Sequence, residues 1–123
     1  MITIGFIGTG LMGLPMAKNI LKSGFKLKAF NRSIEKAVPL KEFGAEISKT
    51  IGDVVKDSDF VITMLTDDSA VDAITSSSDF LDNLKSGSTV IDMSSVKPTT
   101  ATKHGANLKS KNCLLYTSPS PRD

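Results

Sequence analysis

Short apolar segments alternate with longer amphipathic segments along the whole chain. The apolar segments have the length and composition of β-strands, and the stretches between them carry apolar residues at helical spacing. This order predicts an α/β fold with a doubly wound parallel sheet, right-handed crossovers and helices on both faces. The predicted strands span residues 2–7, 26–31, 45–48, 60–65 and 89–93; helices are predicted from residue 12 to a stop at 23–24 and over 33–43, 50–56, 67–74, 79–84 and 98–109.

Proline and glycine mark the predicted ends of the first two helices. Pro15 lies in the first turn of the first helix, where a missing N–H costs little, and Gly24 closes that helix. Ser33 can cap the second helix and Gly44 can stop it. Because Pro39 falls inside the second helix, we expect that helix to be kinked or shortened.

The carboxyl ends of the predicted strands define one edge of the sheet. The segment 60–65 is almost continuously apolar, as expected for a strand that is covered on both faces. Ligands of such parallel sheets bind outside the carboxyl ends of the strands. The sequence therefore places a candidate binding edge at residues 8–13, 31–33, 65–68 and 94–97.

A glycine-rich turn, Gly8-Thr9-Gly10-Leu11-Met12-Gly13, directly follows the first strand. Gly8 allows a sharp turn, Gly10 leaves no side chain between backbone and ligand, and Gly13 lets the next helix pack closely. The free N–H groups and the dipole of that helix favour an anion. A turn without a ligand is the alternative, but the strand, the helix and a second strand at the expected distance favour dinucleotide binding.

Length and composition fit one small domain. The chain has 123 residues, a net charge of +2 and one cysteine, and we expect it to fall short of a complete six-stranded fold. The sequence shows no cluster of basic residues with interleaved aromatic residues, so nucleic-acid binding is not expected. No apolar run approaches the roughly 20 residues that a helix needs to cross a bilayer. Because residues 3–7 already read as a strand, we expect no signal or transit peptide. A single cysteine fits a reducing compartment, so we expect the cytoplasm.

Five sequence blocks resemble the amino-terminal domain of the β-hydroxyacid dehydrogenases. They are GFIGTGLMGLPMAKNI (5–20), NRSIEK (31–36), FGA (43–45), DFVITML (59–65) and VIDMSSVKP (90–98). This family includes 3-hydroxyisobutyrate dehydrogenase, tartronate semialdehyde reductase and, more remotely, 6-phosphogluconate dehydrogenase. The resemblance implies a Rossmann domain and an oxidoreductase that transfers hydride between a nicotinamide cofactor and a small 3-hydroxy acid or semialdehyde.

The resemblance also implies which residues contact the cofactor. The glycines correspond to the pyrophosphate turn, with backbone N–H groups from the two residues that precede the last glycine. Thr66 departs from the proline often found at its position, and the Ser95 hydroxyl corresponds to one that contacts the nicotinamide ribose or the substrate. The expected cofactor-binding residues are Gly8, Gly10, Leu11, Met12, Gly13, Asn31, Arg32, Ser33, Met64, Leu65, Thr66 and Ser95.

The residues after the second strand favour NADP over NAD. Enzymes that prefer NAD commonly place Asp or Glu there to accept hydrogen bonds from the ribose 2′-hydroxyl. This chain has Asn31-Arg32-Ser33 instead. The guanidinium of Arg32 can hold a 2′-phosphate by charge-assisted bonds, with the Ser33 hydroxyl nearby. The alternative is that Arg32 is a solvated surface charge and Ser33 only a helix cap.

No residue of this chain is expected to be catalytic or to bind a metal. His104 has no carboxylate partner in sequence, so we expect a surface or helix-packing role. Asp57, Asp59, Asp67 and Asp68 flank a strand and are expected to cap helices or solvate turns. Asp92 lies inside the fifth strand, where we assign it no role. In the family, the catalytic lysine, its companion asparagine and the segment that holds the substrate carboxylate all follow this domain.

The carboxyl-terminal segment 113–123 has a different character, with an apolar tetrad followed by a Ser-Pro repeat. It resembles the translation of a transposase-type sequencing-library adapter. We therefore expect residues 1–112 to be an NADP-binding domain fragment, and 113–123 to be disordered read-through without the sixth strand. The fragment would be inactive, and it would lack the helical second domain through which the full-length family members form homo-oligomers.

Three other functions remain open at this point. A non-catalytic NADP-binding module would share every motif described above. A methyltransferase also begins with a glycine-rich turn, but it usually has an acidic residue after the second strand. An imine reductase shares the amino-terminal pattern, including the Asn31-Arg32 pair, and the DMSS block (92–95) favours the hydroxyacid branch over it.

Overall fold

A computed structural model describes residues 2–8, 13–31, 35, 38–64, 68–93 and 98–117. These residues form strands that alternate with helices along the chain. The strands are β1 (Thr3–Ile7), β2 (Lys26–Phe30), β3 (Glu46–Ile47), β4 (Phe60–Thr63), β5 (Thr89–Asp92) and β6 (Leu114–Thr117). The helices are α1 (Gly13–Lys22), a 3-10 helix (Val38–Phe43), α2 (Ile51–Val55), α3 (Asp68–Thr75), α4 (Ser78–Leu81) and α5 (Pro98–Lys109).

All strand pairs are parallel, in the order β3-β2-β1-β4-β5-β6. The order reverses beside β1, because β2 lies on one side of it and β4 on the other. Ile7 pairs with both Phe30 and Thr63, and Thr63 pairs with Asp92, so four strands end at the same level. The predicted doubly wound sheet is confirmed, and its strand ends meet at one edge.

Helices cover both faces of the sheet and enclose two apolar cores. Because side chains alternate along a strand, Phe6 enters one core and Ile7 the other. The first core contains Phe6, Ala17, Leu27 and Leu40 beneath α1 and the 3-10 helix. The second core lies beneath α2, α4 and α5 and contains Ile7, Val54, Val61, Phe80, Val90 and Leu108.

The second helix differs from its prediction. The described residues form a 3-10 helix over Val38–Phe43 where the sequence predicts an α-helix over 33–43. Pro39 has no N–H for an α-helical hydrogen bond and its ring crowds the preceding turn, so a tighter and shorter helix forms. Gly44 ends it as predicted, with φ of +101°.

The other helices follow their predictions within a few residues. The hydroxyl of Thr50 accepts a hydrogen bond from the N–H of Asp53 and so caps α2. Helix α5 begins at Pro98, as predicted. In the part of the chain that the structure describes, no helix is both long and apolar enough to cross a membrane.

The end of the described chain corrects a prediction. Leu114–Thr117 form β6, which pairs with β5 from Thr89↔Leu114 to Asp92↔Thr117. Cys113 is buried beside Ser88, and Leu115 packs on the second core. The expectation of disorder and of a missing sixth strand is therefore wrong for residues 113–117, because these apolar residues pair with the free edge of β5. Residues 118–123 lie outside the described part, and the read-through origin of the segment stays a prediction.

Helix α2 approaches β1 closely at Gly5, which the sequence does not indicate. A Cβ added to Gly5 would lie 2.7 Å from the carbonyl oxygen of Val54 and 2.8 Å from the Oγ of Ser58. Real Cβ atoms essentially never come so close to another heavy atom. Gly5 therefore lets α2 and the turn after it lie directly against the sheet.

Candidate functional site

Gly8, the first residue after β1, has the backbone conformation that the glycine motif predicts. Gly8 is buried and has φ of +92°, a conformation that side chains with a Cβ rarely adopt. Its N–H donates to the carbonyl oxygen of Phe30 at 2.9 Å. The next described residue, Gly13, begins α1, so a strand, a short connection and a helix follow each other as predicted.

The amino end of α1 can accept an anion. The first N–H groups of an α-helix have no acceptor inside the helix and carry a partial positive charge. The first turn of α1 contains no acidic side chain that would compete for these groups, and its last turn carries Lys22. This helix end therefore fits a phosphate group better than a cation.

Asn31 lies beside the glycine turn. It directly follows β2 and is half-buried, and the preceding residue, Phe30, accepts the hydrogen bond from Gly8. The structure thus brings the beginning of the Asn31-Arg32-Ser33 segment next to the candidate pyrophosphate turn. Arg32 and Ser33 themselves lie outside the described residues.

The ends of β4 and β5 continue the same edge. The N–H of Met64 donates to the carbonyl oxygen of Ile7 at 2.9 Å, and the N–H of Met93 donates to that of Thr63 at 2.8 Å. Met64 is half-buried and packs against the first core. β4 therefore ends directly before Met64, the first predicted cofactor contact on this side, and β5 ends two residues before the edge segment 94–97.

The structure describes only part of the predicted site. Gly8, Gly13, Asn31 and Met64 lie at one edge of the sheet, as the sequence predicts. Their contacts with a cofactor stay predictions. The predicted site residues outside the described part are Gly10, Leu11, Met12, Arg32, Ser33, Leu65, Thr66 and Ser95.

A buried polar cluster lies directly below the ends of β4 and β5. The Oγ1 of Thr63 donates a hydrogen bond to Oδ1 of Asp92 at 3.0 Å. The Nδ1 of His104, on α5, lies 3.9 Å from Oδ2 of Asp92, and both side chains are only 1% exposed. We refer to Thr63, Asp92 and His104 as the Asp92 cluster. It brings a carboxylate and an imidazole together within the second core.

The position of His104 corrects one part of its prediction. The helix-packing role is confirmed, because the imidazole packs against Phe80 with the ring centres 6.1 Å apart. The surface alternative is wrong, and Asp92 is the nearby carboxylate that the sequence did not reveal. The spacing along α5 could have indicated that His104 is buried. His104 lies four residues before Leu108, so the two share one face of the helix, and both are buried.

The aspartates before and after β4 do not form one group. Asp59, at the amino end of β4, accepts the N–H of Thr3 at 3.0 Å and the Nζ of Lys85 at 2.6 Å. These hydrogen bonds hold the pKa of Asp59 below its usual value, the one from Lys85 contributing most. Asp59 therefore ties the amino end of β1 to that of β4, which differs from the predicted helix cap or solvated turn. Asp68 begins α3 at the opposite edge.

An ion pair joins the two helices that begin at the candidate binding edge. The Nζ of Lys103, on α5, lies 2.8 Å from Oδ1 of Asp72, on α3, and the Ser76 hydroxyl donates to the same oxygen. Both hydrogen bonds lower the pKa of Asp72, that from Lys103 the more. The pair is exposed, so it contributes little to the free energy of unfolding.

No group of three or more His, Cys, Asp or Glu side chains that could hold a metal ion occurs among the residues described above.

The chain is similar to several known proteins. A family model described as the NAD binding domain of 6-phosphogluconate dehydrogenase matches residues 3–119. Glyoxylate/succinic semialdehyde reductase 1 of Arabidopsis thaliana is 36% identical over 101 residues, which make up 81% of this chain and 35% of that protein.

Two solved structures show the same fold. A 3-hydroxyisobutyrate dehydrogenase of Mycobacterium tuberculosis, with L-serine, has a TM-score of 0.90 and 28% identity over 97% of this chain. An imine reductase of Myxococcus stipitatus in complex with NADP+ has a TM-score of 0.86 and 26% identity over 94% of this chain. This chain spans 40% and 39% of those two proteins and 35% of the Arabidopsis reductase, so the similarity concerns one part of each.

Proposed function

Because the chain belongs to the family of the NAD binding domain of 6-phosphogluconate dehydrogenase, we propose that it binds NADP across the carboxyl ends of β2, β1, β4 and β5. The observation that carries this proposal is the Gly8 turn, with its positive φ and its bond to Phe30, at the point where the strand order reverses. Dinucleotides bind doubly wound sheets at this point.

Along the candidate binding edge, from β2 to β5, successive residues would contact successive parts of the dinucleotide. The amino end of α1 would hold the pyrophosphate, aided by the backbone of Gly8 to Gly13. On the β2 side, Arg32 and Ser33 would hold the 2′-phosphate that distinguishes NADP from NAD. On the β4 and β5 side, the nicotinamide half would lie along Met64, Leu65 and Thr66 and reach Ser95.

We further propose that the complete protein transfers hydride between the nicotinamide and a small 3-hydroxy acid or semialdehyde. A bound nicotinamide supplies the chemistry of hydride exchange at its C4 position. The support comes from relatives whose names state such substrates, a succinic semialdehyde reductase and a 3-hydroxyisobutyrate dehydrogenase. The lysine that acts as general acid or base would lie outside these 123 residues, so this chain alone would bind cofactor without turnover.

Two further properties belong to the same proposal. The complete protein would form a homo-oligomer through a second, helical domain. It would work in a reducing compartment, the cytoplasm, since residues 1–112 contain no cysteine with which to form a disulfide.

Calorimetric titration of the chain with NADP+ and with NAD+ tests the cofactor assignment. Arg32→Asp should weaken NADP+ binding by about tenfold or more, because it replaces charge-assisted hydrogen bonds by repulsion, and should leave NAD+ binding nearly unchanged. Lys22→Asp is the matched control, since it reverses a charge at the other end of α1. Equal losses for both cofactors with Arg32→Asp would refute the role of Arg32, and no binding of either by the wild type would refute the function.

An imine reductase is the second candidate for the complete protein, and the likeness to the NADP+-bound imine reductase supports it. The two candidates differ in the reacting carbon, which carries oxygen in one case and nitrogen in the other. Turnover of 3-hydroxyisobutyrate and of a cyclic imine by the complete protein separates them. A complete protein that binds NADP+ and turns over neither compound would favour a non-catalytic module.

A further inference from the structure

The Asp92 cluster has no part in the cofactor contacts proposed above. It joins three elements, because Thr63 belongs to β4, Asp92 to β5 and His104 to α5. The Thr63 hydroxyl donates to Asp92 at 3.0 Å, and the His104 imidazole faces the other carboxylate oxygen at 3.9 Å. At this distance the imidazole makes no direct hydrogen bond with the carboxylate and packs beside it.

The cluster lies where two predicted cofactor segments leave the sheet. Thr63 is the last residue of β4, and the segment 65–67 follows it after a single residue. Asp92 is the last residue of β5, and 94–97 follows it in the same way. Pro98 then begins α5, which carries His104. The cluster therefore joins the last residues of β4 and β5 to the helix that follows β5.

Packing alone does not account for the carboxylate at this position. Asp92 is 2% exposed and His104 is 2% exposed, and within the described residues neither imidazole nitrogen has a hydrogen-bond partner. Burying a carboxylate and an imidazole costs free energy that apolar side chains of similar size would not cost. A hydrogen bond is directional in a way that apolar packing is not. The bond between Thr63 and Asp92 therefore fixes the relative position of the ends of β4 and β5.

We propose that Asp92 is a positioning residue for the nicotinamide half of the cofactor. Through its hydrogen bond with Thr63 it fixes the end of β4 relative to the end of β5, and the chain continues from these two ends to the predicted contacts Met64, Leu65, Thr66 and Ser95. This inference rests on the proposed dinucleotide function. The adenosine half is held at the β1 and β2 ends, on the other side of the strand-order reversal, and does not depend on the cluster.

Calorimetric titrations with NADP+ and with 2′,5′-ADP test the inference on the full chain. The second ligand carries the adenosine and the 2′-phosphate but no nicotinamide. Thr63→Val keeps the shape of the side chain and removes the hydroxyl, and Asp92→Asn keeps the shape of the carboxylate and removes its charge. Thr63→Val should weaken NADP+ binding by about tenfold, the effect of losing one hydrogen bond to a charged group. Asp92→Asn should weaken it less, because the amide oxygen can still accept from Thr63 but carries no charge. Both variants should leave 2′,5′-ADP binding within about twofold of wild type.

Two further variants separate positioning from stability. Thr63→Ser keeps the hydroxyl and should restore most of the NADP+ affinity that Thr63→Val loses. Ser88→Ala removes another buried hydroxyl at the opposite end of β5, where Ser88 contacts Cys113 at 3.4 Å. It should leave the ratio of the two affinities unchanged even if it lowers the free energy of unfolding.

Several outcomes would overturn the inference. Equal losses of NADP+ and 2′,5′-ADP affinity in Thr63→Val and Asp92→Asn would show a merely structural role. A wild-type chain that binds NADP+ no more tightly than 2′,5′-ADP would show that no nicotinamide contact exists to be positioned. Both results leave the dinucleotide function standing, whereas a wild-type chain that binds neither ligand would overturn the function together with the inference.

Discussion

Replacing Gly5 by alanine tests the close contact between α2 and β1. The new Cβ would lie 2.7 Å from the Val54 carbonyl oxygen and 2.8 Å from the Ser58 Oγ. These two atoms are the ends of one buried hydrogen bond, in which Ser58 donates to Val54 at 2.6 Å. The methyl group therefore has to displace a backbone carbonyl, break that bond, or push α2 away from the sheet.

The expected cost follows from these contacts. Overpacking of a core costs about 1–3 kcal/mol, and we expect the upper half of this range because a backbone atom has to move. In a chain of this size each kcal/mol corresponds to about 4 °C in Tm, so Gly5→Ala should lower Tm by roughly 8–12 °C. Urea and thermal unfolding followed by circular dichroism measure both quantities.

Gly105→Ala is the matched control, because it adds the same methyl group where space exists. The new Cβ would lie 3.6 Å from Leu115, an ordinary van der Waals contact, in the interior of α5. Alanine is the better helix former, so this variant should gain about 0.5–1 kcal/mol. A free energy of unfolding for Gly5→Ala within about 0.5 kcal/mol of wild type would refute the steric argument.

Two further predictions concern side chains that stabilise helix and strand ends. Asp79→Ala should lower the free energy of unfolding by about 1 kcal/mol, because Oδ2 of Asp79 accepts the N–H of Gly52 in the first turn of α2 at 3.0 Å; an unchanged urea midpoint would contradict this capping role. Lys85→Gln should raise the pKa of Asp59, which Lys85 lowers in the folded protein. Because this pKa is lowered on folding, ionised Asp59 stabilises the fold above the usual Asp pKa. This contribution is lost as the pH falls through the folded-state pKa. Urea titrations should therefore show a lower free energy of unfolding for the variant than for wild type above about pH 4, and the difference should shrink as the pH falls through the folded-state pKa of Asp59; a difference that does not shrink would contradict the mechanism.

Much of the fold was predictable because its signals are local. The apolar run at 60–65, the glycine turn at 8–13 and the helix start at Pro98 each reflect backbone or burial preferences of neighbouring residues. Parallel order and the common edge of the strand ends then follow from the alternation of strands and helices. The candidate edge was predictable for the same reason.

The 3-10 helix and β6 show where local signals do not suffice. Pro39 predicts an irregular helix, but which shorter form results depends on the packing of Leu40, which is fully buried in the first core. The segment 114–117 resembles a tail in composition, and it becomes a strand only because β5 offers a free edge for pairing. Both outcomes depend on contacts with residues distant along the chain.

The sequence by itself determined five of the six described strands, the candidate binding edge and the residues proposed to contact the cofactor. Only the tertiary structure revealed the Asp92 cluster and the close approach of α2 to Gly5, since each joins residues from separate elements. Thr63 and Asp92 are 29 residues apart, and no short-range pattern relates them. Backbone preferences act between neighbours along the chain, whereas a buried hydrogen bond requires that two distant strands first be brought side by side.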